Sequence, residues 1–119
     1  MSKVIIVGTL AFDSIETPYG NAVNILGGSA PYASLAALTK DVKCAIISII
    51  GNDFTEEYLE IFRSRKIDIS AVQIDGSEKS FFWSGKYHSD MKSRDTLETQ
   101  VNVLSKFNPN IPKNFVASD

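Results

Sequence analysis

Two short apolar runs constrain the fold of this chain more than any other feature of its sequence. Lys3 to Gly8 (KVIIVG) and Lys43 to Gly51 (KCAIISIIG) are apolar almost throughout, rich in β-branched residues and closed by glycine. That pattern predicts strands buried on both faces of a parallel sheet, and parallel strands need a crossover between them. Pro31 to Leu38 (PYASLAAL) supplies one, because proline suits a first helical position and the alanines permit close packing. The chain reads as strand, crossover helix, strand, which is the α/β class.

The pattern continues beyond the second strand. Asp53 and Glu56 have capping-box spacing, and Phe54, Tyr58, Ile61 and Phe62 recur at helical intervals. The first turn of this predicted helix is acidic (Glu56, Glu57) and its end basic (Arg63, Arg65, Lys66), which complements the helix dipole; the basic group reads either as a solvated C-terminus or as a phosphate site. Ile67 to Ile74 alternates as a short strand.

Two further pairs of segments suit antiparallel pairing. Phe12 to Ile15 and Ala22 to Ile25 flank the turn-like Pro18-Tyr19-Gly20-Asn21 and predict a hairpin. Ser80 to Tyr87 and Thr96 to Val103 flank a charged loop, His88 to Asp95. A small second sheet beside a parallel core is the simplest arrangement. Near the C-terminus, Phe115-Val116-Ala117 reads as the start of another strand. With so few core strands before it, the buried-type strands lack partners, which predicts a truncated chain or one completed by another chain.

Composition removes several classes of function. Twelve Lys plus Arg against fourteen Asp plus Glu leave a formal charge of -2, so no basic field exists to hold nucleic acid or an anionic membrane. A single cysteine, Cys44, cannot form an internal disulfide, and one histidine, His88, leaves the chain without a zinc set. Cys44 reads as a small core residue and His88 as an exposed loop residue. The apolar runs are too short for a secretory h-region or a membrane span, so a soluble protein of the reducing cytoplasm is expected.

Glycine spacing narrows the ligand chemistry. Gly8-Thr9-Leu10-Ala11 lacks the further glycines of a dinucleotide fingerprint, and no Gly-Lys-Ser/Thr of a P-loop occurs. Gly27-Gly28-Ser29-Ala30 lies between an extended segment and a helix start, where backbone N–H groups can approach an oxygen-rich ligand; a tight turn explains the same glycines equally well. Asp13 falls just past the carboxyl end of the first strand, where open α/β sheets bind ligands. Its carboxylate can accept two sugar hydroxyls or, as the alternative, cap local backbone. Phe81, Trp83 and Gly85 share one strand face, which can close over a sugar or simply pack the sheet.

In order, Val7 to Asp13 (VGTLAFD), Gly27 to Ala33 (GGSAPYA), Ile50 to Phe54 (IGNDF) and Lys66 to Asp68 (KID) resemble the amino-terminal part of the ribokinase-like, or PfkB, carbohydrate kinases. Phe81 to Tyr87 and Ser93 to Thr99 are most similar to an uncharacterised sugar-kinase branch. The resemblance implies a ribokinase-like α/β fold, here a partial three-layer parallel sheet with a small β-sheet lid. Residues 1–119 would form the amino-terminal part of one kinase domain, with lid strands near 12–26 and 80–103. It further implies that Asp13 binds substrate hydroxyls, that Gly27 and Gly28 line the sugar pocket, and that Trp83 touches substrate from the lid. Where the family signature usually has Asn, this chain has Tyr32, so a ring would replace a polar substrate contact.

The implied activity is ATP-dependent phosphorylation of a sugar or sugar-like hydroxyl, with Mg²⁺, and a homodimer formed through the lid. Family catalysis rests on an Asp-Thr-x-Gly-Ala-Gly-Asp-type segment, whose last Asp is the base beside an anion hole at a helix start. That segment does not occur in these 119 residues, so no catalytic residue is assigned and the chain alone is expected to be inactive. A noncatalytic sugar-binding or subunit-association module is the alternative reading.

Overall fold

The computed structural model describes residues 3–116. In chain order the elements are β1 (Lys3–Val7), β2 (Ala11–Thr17), β3 (Gly20–Gly27), α1 (Ser29–Leu38), β4 (Lys43–Ile50), α2 (Glu56–Arg63), β5 (Val72–Ile74), β6 (Phe81–Tyr87), β7 (Arg94–Gln100) and a final turn of helix, α3 (Lys113–Val116). A 3-10 turn, Asn102–Lys106, follows β7. The strands form two sheets: a parallel one of order β1-β4-β5, and a four-stranded one of order β3-β2-β6-β7.

The parallel sheet is built around β4, paired with β1 on one side and β5 on the other. Cβ atoms alternate across a strand, so β4 feeds two apolar clusters. Cys44, Ile46 and Ile50 pack with Leu10, Phe12, Ala30, Phe54, Leu59, Phe62 and Ile67 on one side. Ala45 and Ile47 meet Phe115 on the other. Burial on both faces holds for β4 but not for β1, whose Val4 and Val7 are 37% and 52% exposed. The reason is position, since β1 has a hydrogen-bonded neighbour on one side only among the described residues.

Local chemistry shifts several predicted boundaries. Helix α1 starts at Ser29, so Pro31 is the third helical residue; its missing N–H is still one of the four that have no acceptor in a first turn. Asp53 does not cap α2. Thr55 occupies the cap, and the Asp53 carboxylate accepts the Ser80 N–H at 2.9 Å. The basic end of α2 is a solvated helix terminus, with Arg63 bridging Glu56 and Arg65 bonding the Ile61 carbonyl. The strand expected over Ile67 to Ile74 is reduced to β5 and a single bridge from Asp68 to Ala45, because the Asp68 carboxylate accepts the Ser70 N–H at 2.9 Å and turns the chain.

The strand expected to reach Val103 stops at Gln100. The fully buried Val103 is drawn inward, its N–H on the Lys79 carbonyl, and the 3-10 turn begins. The strand expected from Phe115 is instead the helical turn α3, with the Phe115 N–H on the Pro112 carbonyl; Ala117 lies outside the described residues. Both antiparallel pairs form as expected, and the first is tighter, with Pro18 and Tyr19 alone between β2 and β3.

A buried junction fixes the second sheet to the first. Ser80 is 1% exposed; its hydroxyl accepts the Gly51 N–H at 2.8 Å, its N–H meets Asp53, and its carbonyl accepts Asn102 Nδ2 at 3.0 Å. Beside it, the rings of Phe12, Phe54 and Tyr58 lie with centroids 5.0–5.4 Å apart, joining β2 to the start of α2. Aromatic pairs of this kind add roughly 0.5–1.5 kcal/mol each beyond their buried area. Cys44 is buried, and burial pushes its thiol up, away from a reactive thiolate.

Candidate functional site

The site forms where β1 ends, β2 begins and α1 starts. Thr9 and Ser29 clasp each other: the Thr9 N–H donates to Ser29 Oγ at 3.1 Å, the Ser29 N–H to Thr9 Oγ1 at 3.0 Å, and the Ala30 N–H to the Thr9 carbonyl at 3.0 Å. The Ser29 and Ala30 amides, which the sequence offered to an oxygen-rich ligand, are therefore engaged inside the protein. Gly28 caps α1 with φ +92°, and a Cβ there would meet the Thr9 carbonyl oxygen. Glycine at this position answers both constraints.

Asp13 sits inside β2, in register with Ile25 of β3 and Trp83 of β6, and not in a turn beyond β1. Its carboxylate is shielded on one side by Gly27, whose absent Cβ would fall within 3.0 Å of all three terminal atoms of the Asp13 side chain. Burial raises the Asp13 carboxyl above its ordinary value of 3.8, and nothing in the described residues counters that with a hydrogen bond or a cation. The group is a half-buried acceptor without a partner, which removes the backbone-capping alternative.

The parallel pairing of β2 with β6 brings the lid aromatics to this carboxylate. Ala11 faces Phe81 and Asp13 faces Trp83, so all four share one side of the sheet. The Trp83 indole lies across Gly85, where any Cβ would strike the ring, and its Nε1–H donates to Thr96 Oγ1 at 3.2 Å. Arg94 of β7 reaches back over the same ring, its guanidinium carbon 5.7 Å from the centroid. Ala11, Asp13, Gly28, Phe81, Trp83, Tyr87 and Arg94 line an open cavity of about 340 Å³. That volume suits a monosaccharide-sized ligand.

Of the residues singled out by sequence, Asp13, Gly28 and Trp83 line this cavity and Gly27 seats the carboxylate. Tyr32 does not join them; it stands on α1, 65% exposed. Arg94 and Tyr87 were missed as site residues. They are opposite each other in the β6–β7 pairing; alternation from Trp83 through Gly85 was the available signal for Tyr87, and none pointed to Arg94. A larger hollow of about 410 Å³ lies behind the sheet, lined in part by Phe12, Asp53, Tyr58 and Phe82. Asp53 and Ser80 there are already committed to the junction, so the smaller cavity is the better candidate. The described residues contain no cluster of three His, Cys, Asp or Glu side chains, and His88 pairs with Asp95 at 3.1 Å. No described helix is long and apolar enough to cross a membrane.

No family model matches the chain. It is 32% identical over 74 residues to a cytidine kinase of Thermococcus kodakarensis, a match covering 62% of this chain and 26% of that one. Among solved structures it is similar to the Methanocaldococcus jannaschii nucleoside kinase, described as an archaeal member of the ribokinase family, with a TM-score of 0.73 and 19% identity over 93% of this chain and 42% of that one. It is also similar to the ribokinase of Cryptococcus neoformans in complex with ADP, with a TM-score of 0.72 and 14% identity over 86% of this chain and 35% of that one. The chain thus spans about a quarter of the curated relative and well under half of these structures. Its two sheets form a ribokinase-like α/β fold, the fold of these nucleoside kinase and ribokinase structures.

Proposed function

We propose that this chain supplies the acceptor side of a phosphotransferase, holding a sugar or sugar-like compound by its hydroxyls for phosphorylation. The single observation behind this reading is Asp13, a partnerless carboxylate in a cavity walled by Phe81 and Trp83. Ionised, it accepts two hydroxyl hydrogen bonds and fixes which hydroxyl points outward. The aromatic side chains of Phe81 and Trp83 offer faces for the C–H surface of the ring. Glycines at 27 and 28 let the ligand approach the backbone, and the names of the similar kinases agree with a hydroxyl acceptor.

ATP with Mg²⁺ is the proposed phosphoryl source, in keeping with the ADP bound by the similar ribokinase. The described residues do not fit that group, having no metal-ligand cluster and having the first α1 amides engaged by Thr9. No donor site or catalytic base is therefore assigned among the described residues, and the 119-residue chain alone is expected to show no turnover. A cytoplasmic protein and a homodimer through the lid complete the reading; the exposed Val23 on the edge strand β3 suits the latter. A nucleoside acceptor is the second reading, favoured by the flat Trp83 and Phe81 rings and by the cytidine and nucleoside kinases among the similar proteins.

Trp83 is the only tryptophan in the chain, so its emission reports directly on the cavity. Titration with neutral sugars and nucleosides should give a saturable change that Asp13→Asn weakens about tenfold to a hundredfold, the loss expected for a charge-assisted hydrogen bond. A panel that leaves Trp83 emission unchanged would refute the reading. Sugar-dependent ADP formation by the 119-residue chain would refute the division of labour.

A further inference from the structure

Two opposite charges line the cavity, and among the described residues neither has an ion-pair partner. One is the Asp13 carboxylate, on the strand beside Trp83. The other is Arg94, on β7 across β6 from Asp13, which pairs with no carboxylate among the described residues, although its sequence neighbour Asp95 and nearby Lys86 are both matched, to His88 and Glu16 respectively. Arg94 is also not simply a loose surface arginine. It lies in register with Tyr87, rests against the Trp83 ring, and follows a turn in which the Asp90 carboxylate accepts the N–H groups of Lys92 and Ser93 at 2.9 and 3.1 Å. The His88 N–H closes that turn on the Ser93 carbonyl at 3.0 Å.

We infer that Arg94 selects acceptors carrying an anionic substituent, a carboxylate or a phosphate, at the end of the molecule remote from the hydroxyls held by Asp13. This inference deepens the acceptor reading given above and rests on it. A guanidinium presents a planar fork of donors that matches both anions, and a ring beneath it fixes the plane of that fork. A neutral sugar satisfies Asp13 and leaves Arg94 facing water. A ligand with hydroxyls at one end and negative charge at the other satisfies both, and its charge is complementary to the cavity along its length.

The test uses matched probes on this chain with Trp83 emission as the readout: gluconate against glucitol, glucose 6-phosphate against glucose, and acetate and inorganic phosphate as anions without hydroxyls. The expected result is binding about tenfold to a hundredfold tighter for one or both polyhydroxy anions than for the neutral partner, weakening as salt is raised. Arg94→Gln should abolish that preference, read as the ratio of charged to neutral affinities within each variant, and Arg94→Lys should restore only part of it. Comparing gluconate with glucose 6-phosphate identifies which anion is the source.

Equal binding of charged and neutral partners, or a preference that survives Arg94→Gln, overturns the inference while the acceptor reading stands. Arg94-dependent binding of polyhydroxy anions that ignores Asp13→Asn keeps the inference about Arg94 and removes the role of Asp13. Acetate or phosphate binding as tightly as the polyhydroxy anions overturns selection of an acceptor, and failure of every probe overturns both.

Discussion

Replacing Gly27 with alanine tests whether Asp13 is held in place for a ligand. The backbone at Gly27 is not in the left-handed region, so the substitution carries no conformational strain of its own. Its consequence is steric and local: the new methyl would lie 2.2 Å from Asp13 Oδ2, 2.6 Å from Cγ and 3.0 Å from Oδ1. The carboxylate must swing aside, and displacing a side chain from its rotamer costs about 0.5–1.5 kcal/mol. For a domain of this size that lowers Tm by only about 2–8 °C. Binding should suffer more, because a carboxylate turned from its ligand loses a charge-assisted hydrogen bond of about 1.5–3 kcal/mol, roughly a tenfold to hundredfold weaker Kd. The assay is a double-mutant cycle, with Gly27→Ala made in the parent and in Asp13→Ala, Kd read from Trp83 emission and stability from thermal melts. Without the carboxylate, Gly27→Ala should be nearly silent in both. If it damages binding equally in the two backgrounds, Gly27 acts on the ligand or the sheet directly and the seating of Asp13 is refuted.

Asp13 also makes a prediction about pH. Because burial raises its carboxyl above 3.8 in the fold, the uncharged form is favoured there, and stability is lost as pH rises from the ordinary value through the raised one. Asp13→Asn should therefore match the parent in strong acid and be more stable at neutral pH while binding sugars less well; urea melts across pH that show no such divergence would count against an unpartnered carboxylate. Ser80→Ala should cost about 1–3 kcal/mol in the same melts, since it strands the buried Gly51 N–H, whereas the exposed Ser105→Ala should change stability by less than about 0.5 kcal/mol.

Much of the architecture was legible because it is written in periodicity. The run at Lys43 to Gly51 became the central strand, and Phe81 and Trp83 share one face of β6, although the parallel pairing with β2 that sets that face beside Asp13 was not expected. What misled was local chemistry whose partner is far away in sequence. Asp53 has the spacing of a helix cap, but Ser80, just before β6 and far along the chain, competes for its carboxylate and wins. Val103 belongs by pattern to β7, yet a fully buried position beside Lys79 draws it out of the strand. In the candidate site, Asp13 and the glycines were visible from composition and order. Arg94 was not, because its place depends on a register shift between Ser84 and Gly85 that no local pattern announces.

The parallel pairing of β2 with β6 has a consequence for how the molecule assembles. Asp13 and Trp83 are neighbours in space but some seventy positions apart along the chain, and β2 finds β6 only after α1, β4, α2 and β5 have been threaded between them. Bringing such distant segments together carries a loop-closure entropy that early contacts cannot offset, so pairings of this kind form late and slowly. The β2–β3 hairpin, closed by two residues, can form in microseconds on its own, whereas the cavity exists only once the slowest pairing is complete. Recovery of native Trp83 emission during refolding should therefore trail the appearance of the hairpin, and competence to hold a ligand would be among the last properties the chain acquires.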